Sequence, residues 1–154
     1  MARAYIGIGS NLGDSAANVR EGIDRLRAYG VLVGVSSIYA TVPWGKTDQP
    51  SFVNAAVALD TQLEPYALLR ALKTAERELG RVEGERWGPR AIDLDILDYE
   101  GVVLQDTELT IPHARLAERA FALVPLAEIA PRYAALRDRL DARELVLVVR
   151  RSTS

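Results

Sequence analysis

An α+β domain is what this sequence predicts, and three observations carry the prediction. Two stretches repeat apolar residues at helical spacing, other stretches form short apolar runs of strand type, and the two kinds follow each other as β-α-β-β-α-β. That order is the ferredoxin-like pattern, which predicts an antiparallel-dominated sheet with helices packed on its faces, the two core helices sharing one face. At 154 residues the length predicts one domain, residues 1–154, able to bury a core of its own.

The elements follow in order. Residues 3–9 read as a short buried strand, and Asp14 or Ser15 caps a helix whose Val19, Ile23 and Leu26 keep helical spacing until Gly30 ends it. Val31, Val33 and Val35 predict a second strand reaching to about Tyr39. Pro43, Gly45 and Pro50 mark 42–51 as a loop, and Phe52 to Thr61 resumes as a strand. Pro65 suits a first helical turn, and Leu68, Leu69, Leu72, Ala75 and Leu79 form an apolar stripe that Gly80 ends. Residues 81–91 read as an irregular loop and 92–99 as a strand, with Glu100-Gly101 turning tightly into Val102 to Leu104. Beyond Pro112 one or two short helices run to Ile129, where Pro131 stops them. Leu145 to Val149 reads as a β run, but the pattern gives it no place in the sheet, so 132–154 stands as an unassigned tail.

Composition closes several classes of chemistry. With no cysteine there is no disulfide framework, no thiolate zinc site and no thiol nucleophile. No window approaches 18 uninterrupted apolar residues and the start lacks a signal-peptide layout, so a soluble cytoplasmic protein without membrane contact is expected. A net charge of −2 argues against a nucleic-acid partner, because duplex-binding surfaces carry a basic excess.

The run Ile92-Asp93-Leu94-Asp95-Ile96 carries the chemistry. On a strand Asp93 and Asp95 point the same way, roughly 6.5 Å apart, while the apolar residues point the other. At an effective dielectric of about 20 two such charges repel by roughly 2.5 kcal/mol, which a divalent cation between them turns into attraction. An edge strand with a wet face would show the same pattern. Arg81, Arg86 and Arg90 lie in the preceding loop with Gly80, Gly84 and Gly88. Forked guanidinium donors match phosphate oxygens, and cation plus arginine clamp is phosphoryl-transfer equipment. Paired with Glu83 and Glu85, the same arginines would be an ordinary solvated loop.

Here the chain resembles a known family, the 6-hydroxymethyl-7,8-dihydropterin pyrophosphokinases of folate biosynthesis. The resemblance rests on Arg86-Trp87-Gly88-Pro89-Arg90 followed by Asp93-Leu94-Asp95-Ile96. It is supported by Ile8-Gly9-Ser10-Asn11-Leu12, Ser36-Ser37-Ile38-Tyr39, Asp48-Gln49-Pro50, Asn54-Ala55-Ala56-Val57, Pro112-His113 and the stretch from Pro125 to Pro131. It runs from about residue 4 to 131.

The resemblance implies a transferase that moves the β,γ-pyrophosphoryl group of the co-substrate ATP to the pterin hydroxymethyl group and releases AMP. Asp93 and Asp95 would hold two Mg²⁺ ions, with Arg90 and Arg81 also catalytic. Glu76, Arg81, Arg86, Trp87, Arg90, Ile96, His113 and Arg119 would bind ATP. Thr41, Pro43, Trp44, Gly45, Phe52, Asn54, Phe121 and Asp95 would bind the pterin, with Phe52 and Phe121 sandwiching its ring. Small molecules are the implied partners, and the enzyme is expected to work as a monomer. Three departures stand out: the loop at Glu83-Gly84 is one residue short, Glu108 replaces a basic residue, and Lys73 replaces a glutamine. They predict a loop that closes differently over ATP.

Three other readings compete. Nucleotidyltransferases pair Gly-Ser with a D-x-D, but Gly9-Ser10 and Asp93 lie far apart here. An RNA-binding module of the same fold would show a basic, aromatic-rich strand, which this chain lacks. The third, a catalytically dead interaction domain, is opposed by the intact Asp93 and Asp95.

Overall fold

The computed structural model of the chain describes residues 1–11, 14–41, 52–80, 92–140 and 145–149. In chain order its elements are β1 (Ala2–Ser10), α1 (Ser15–Arg25), β2 (Val31–Val35), β3 (Ile38–Thr41), β4 (Val53–Thr61), α2 (Pro65–Gly80), β5 (Asp93–Tyr99), β6 (Leu104–Gln105), β7 (Thr110–Ile111), α3 (Ala120–Ile129), α4 (Ala134–Asp138) and β8 (Leu145–Val149). The main sheet runs β5-β1-β4-β3-β8, with β2 also paired to β4. Every pairing among the described residues is antiparallel. The β-α-β-β-α-β core expected from the sequence is present, in the order that places the first strand between the third and the last.

Local chemistry explains the boundaries. Asp14 caps α1 by accepting from the Ala17 backbone N–H at 3.1 Å, which satisfies one of the donors every helix start leaves open. Gly30 ends the turn after α1 because a Cβ there would lie 2.2 Å from the Asp60 carbonyl oxygen. Gly101 takes φ +80° in the turn after β5, a conformation that favours glycine.

The single strand expected over 31–39 is instead two. At the break the Ser36 hydroxyl accepts from the Ala56 N–H at 2.8 Å and the Ser36 N–H donates to the Ala56 carbonyl at 2.9 Å. Serine side chains compete with the ladder for backbone groups, and here one takes the ladder's place. Pro131 does more than stop a helix: it opens a short 3₁₀ turn over Pro131–Tyr133 that leads into α4. The segment after Gly101 begins to pair two residues later than expected, at Leu104, in the small β6-β7 hairpin. The tail gains a place, since β8 pairs along β3 with Tyr39 opposite Leu147.

Alternation along the strands builds two cores. Ala4, Ile6 and Ile8 of β1, Val57 and Leu59 of β4 and Leu94 and Ile96 of β5 face Val19 and Ile23 of α1 and Leu68, Leu72 and Ala75 of α2. On the opposite face, Tyr5, Ala56, Ala58 and Leu97 meet Leu116 and, from α3, Leu123 and Leu126. Leu97 follows Asp93 and Asp95 on this face by alternation, and a bulge at Leu97 in the β1-β5 register then brings Asp98 opposite Tyr5 on the same side. α3 therefore covers one end of this face. Near it Asp98 takes Arg132 at 2.7 Å and the Tyr133 hydroxyl, and the Arg132 guanidinium lies 4.9 Å and 5.0 Å from the Tyr5 and Tyr133 ring centres.

Candidate active site

At the other end of that face one row crosses the sheet: Asp93 of β5 is paired with Gly9 of β1, Gly9 with Asn54 of β4, and Asn54 with Tyr39 of β3. The next row pairs Asp95 with Gly7 and Gly7 with Ala56. Neighbouring strands lie about 4.8 Å apart, so roughly 10 Å separates the Asp93 and Asn54 backbones across a strand that carries only hydrogens at both glycines. The trough is made by what β1 lacks.

Gly9 is required by its neighbour. A Cβ there would lie 2.8 Å from Asn54 Oδ1 and 3.8 Å from the Phe52 ring. Asn54 is 7% exposed, and its Nδ2 has no hydrogen-bond partner among the described residues. A buried amide donor left unpaired costs on the order of 1–3 kcal/mol, so this geometry suits a ligand that brings an acceptor. Phe52 is 38% exposed beside it, high for so large an apolar ring. The signal in the sequence was Gly7-x-Gly9 inside a buried strand, which marks a close approach.

The carboxylates occupy the outer side. Asp95 is exposed and Asp93 half-buried, whereas Leu94 and Ile96 are buried behind them. Glu76 of α2 accepts from the Leu94 N–H at 2.9 Å and lies 3.4 Å from Lys73 Nζ. Burial raises its pKa, the Leu94 bond and Lys73 oppose the rise, and the Asp93 charge adds to it. Glu76 therefore belongs to the Asp93 neighbourhood.

His113 is brought in by the backbone. Its N–H donates to the Leu97 carbonyl at 2.8 Å, and its Nδ1 accepts from the Arg115 N–H at 3.3 Å. Burial lowers its pKa, the Asp95 charge opposes this, and Arg119 adds to it. The ring is thus mainly neutral at pH 7, and with Nδ1 accepting, its Nε2 carries the proton. Arg119 stands 5.6 Å from the centre of the Phe121 ring, which is itself 38% exposed at the start of α3.

The structure thus brings Asp93, Asp95, Glu76, His113 and Arg119 to one side of the trough and Asn54 and Phe52 to the other. Thr41 ends β3, two residues beyond Tyr39. The Ile96 side chain, 3% exposed, is in the core and cannot itself reach a ligand. Pro43, Trp44, Gly45, Arg81, Arg86, Trp87 and Arg90 lie outside the described residues.

Among the described residues no group of three or more His, Asp or Glu side chains is arranged to hold a metal. The Asp93/Asp95 pair still suits a hard divalent cation. Mg²⁺ takes one or two protein carboxylates and fills its other positions with substrate oxygens and water, and Asp95 is exposed to accept both.

The model of the family "7,8-dihydro-6-hydroxymethylpterin-pyrophosphokinase" matches residues 5–131. A 2-amino-4-hydroxy-6-hydroxymethyldihydropteridine pyrophosphokinase from Methylorubrum extorquens is 53% identical over 133 residues, covering 85% of this chain and 84% of the relative. One of the same name from Pseudomonas aeruginosa is 44% identical, covering 84% and 81%. Among solved structures, a Plasmodium falciparum HPPK-DHPS superposes with a TM-score of 0.69 at 16% identity, over 90% of this chain and 44% of that one. That likeness shows the fold, and the chain spans less than half the length of the longer protein.

Proposed function

Since the chain belongs to the 7,8-dihydro-6-hydroxymethylpterin-pyrophosphokinase family, and is a pyrophosphokinase of folate biosynthesis, we propose that the trough on β1, β4 and β5 is its active site. The reaction read for it is transfer of pyrophosphate from ATP to the hydroxymethyl oxygen of 6-hydroxymethyl-7,8-dihydropterin, releasing AMP. The observation that supports this best is the row Asp93, Gly9, Asn54, which sets a carboxylate and a buried amide with no hydrogen-bond partner among the described residues on opposite sides of a glycine.

The parts of the described residues are read from their places, and those of Pro43, Trp44, Gly45, Arg81, Arg86, Trp87 and Arg90 from the family resemblance alone. Asn54 offers its amide to the edge of the pterin ring, and Phe52 and Phe121 stack on the ring's faces. Thr41, Pro43, Trp44 and Gly45 complete that side. Neutral His113 donates from Nε2 to a phosphate oxygen, while Arg119 supplies positive charge beside it. Arg81, Arg86, Trp87 and Arg90 hold the triphosphate, and Glu76 lines the nucleotide side. Ile96 contributes through its backbone, since its side chain is in the core. Asp93 and Asp95 hold Mg²⁺, read as two ions, and Asp95 accepts a hydrogen bond from the attacking hydroxyl. When bound, the metal neutralises charge that builds on the phosphate oxygens. The protein's own work is to align hydroxyl and β-phosphorus, which converts an encounter into a near-attack arrangement.

Identifying the nucleotide product tests the reaction. Incubated with ATP, Mg²⁺ and the hydroxymethyl dihydropterin, the protein should yield AMP and the pterin pyrophosphate; ADP would overturn the assignment. Chelation with EDTA should abolish turnover and added Mg²⁺ restore it. Undiminished turnover in EDTA would remove the metal from the reading.

A further inference from the structure

Two stretches that carry the family resemblance, Ser36 to Tyr39 and Pro125 to Pro131, take no part in the chemistry above, yet they meet. The Glu128 carboxylate on α3 accepts from the Ser37 N–H at 3.3 Å, from the Ser37 hydroxyl at 3.0 Å and from the Tyr39 hydroxyl at 2.5 Å. Tyr39 is no remote anchor, because it is paired with Asn54 and so ends the row that crosses the trough. Paired residues on adjacent strands share a face, which puts Tyr39 on the trough side of β3.

Glu128 in turn shares a side of α3 with Phe121. The two are seven residues apart, about two helical turns, so their side chains leave the helix in nearly the same direction. Pro125 lies between them and cannot donate an N–H to the Phe121 carbonyl, so the first turns of α3 are held less by their own ladder and more by what the helix touches. Burial and the Glu128 bond push the Tyr39 phenol up to about 12, so at neutral pH it stays protonated and donates.

We propose that Glu128 is a positioning residue that, through Ser37 and Tyr39, fixes α3 and its Phe121 against the Asn54 row and thereby sets the width of the pterin slot. This rests on the active-site reading above, in which Phe121 stacks on one face of the pterin ring while Asn54 bonds its edge. Glu128 itself need not touch either substrate. Its loss should therefore appear in pterin affinity, should spare ATP, and should need Phe121 to be felt.

The test is a double-mutant cycle read by titration with 6-hydroxymethyl-7,8-dihydropterin and, separately, with a non-hydrolysable ATP analogue and Mg²⁺. Glu128→Gln should raise the pterin Kd about fivefold or more and change the ATP-analogue Kd less than twofold. Tyr39→Phe, which keeps the ring and removes one bond, should move pterin affinity the same way by a smaller factor; it carries the test should Glu128→Gln fail to fold. In a Phe121→Ala background the Glu128→Gln effect should shrink to less than twofold. An unchanged pterin Kd in the folded Glu128 and Tyr39 variants, or an equal loss with and without Phe121, would overturn the proposal. Phe121→Ala binding pterin as tightly as the parent would instead remove Phe121 from the site, overturning the active-site reading and the proposal with it.

Discussion

The two faces of β5 are built from alternate residues of one seven-residue strand, and they do opposite work. Leu94 and Ile96 are 0% and 3% exposed against α1 and α2, while Asp95 between them is exposed to the trough. The buried face is broadly shared, with side chains from seven elements in it. The trough face depends on a few groups and on two missing side chains. Stability and chemistry are thereby separated by a half-turn of the backbone, so a substitution on one face should leave the property of the other nearly intact.

The largest expected effect is on the buried face. Leu94→Ala should cost about 2–5 kcal/mol, seen as a lower denaturant midpoint, with activity per folded molecule kept. Loss of activity without loss of stability would break the contrast between the faces. Asp95→Ala is the mirror experiment: turnover should fall at least about 10²-fold, roughly 2.7 kcal/mol of transition-state stabilisation. Its denaturant midpoint should stay near the parent's, because the side chain is exposed; near-parental turnover would take Asp95 out of the reaction.

A smaller effect sharpens the role of the missing side chains. Gly9→Ala places a methyl 2.8 Å from Asn54 Oδ1, so the amide must turn, and calorimetry should show pterin binding weakened about tenfold, close to 1.4 kcal/mol. Binding of an ATP analogue should hardly change. Equal losses for both ligands would mean that the trough is not divided as described.

The smallest effect lies at the far end of β1, where Arg3 donates to Asp60 of β4 at 2.8 Å. That bond lowers the Asp60 pKa, so the unfolded chain binds its proton at higher pH than the folded one. The stabilisation is present above the ordinary carboxylate value and is lost as pH falls through the lower folded value. Asp60→Asn should make the acid-unfolding profile slightly shallower and leave turnover at neutral pH unchanged. A steeper profile would contradict the sign.

The sequence made most of the buried face legible, because helical spacing in Leu68, Leu72 and Ala75 and alternation around Leu94 are local signals. The break at Ser36-Ser37 was not, since continued valine spacing gives no sign that a serine hydroxyl will replace a ladder bond. Nor was β8, whose partner is distant and whose pattern fits any sheet edge. In the site, Asp93 and Asp95 announced themselves by period, whereas His113 and Asn54 entered through the family resemblance. Their environment comes from long-range contacts: the Leu97 carbonyl that holds His113, and the glycine opposite Asn54. The Ile96 side chain lies in the core because residues adjacent on a strand point to opposite faces, which leaves its backbone for the ATP contact the resemblance implies.

β3 is held by only two paired residues of β4 but by four of β8, from Ile38 opposite Val149 to Thr41 opposite Leu145. During synthesis β3 emerges early and β8 long after it, so the strand that ends at Thr41 must wait for most of the chain before its second neighbour arrives. Until then it is an open edge, the kind of surface that pairs with other chains. A nascent chain stalled short of β8 would carry a nearly complete carboxylate side beside an unfinished pterin side, prone to stick before it can turn over.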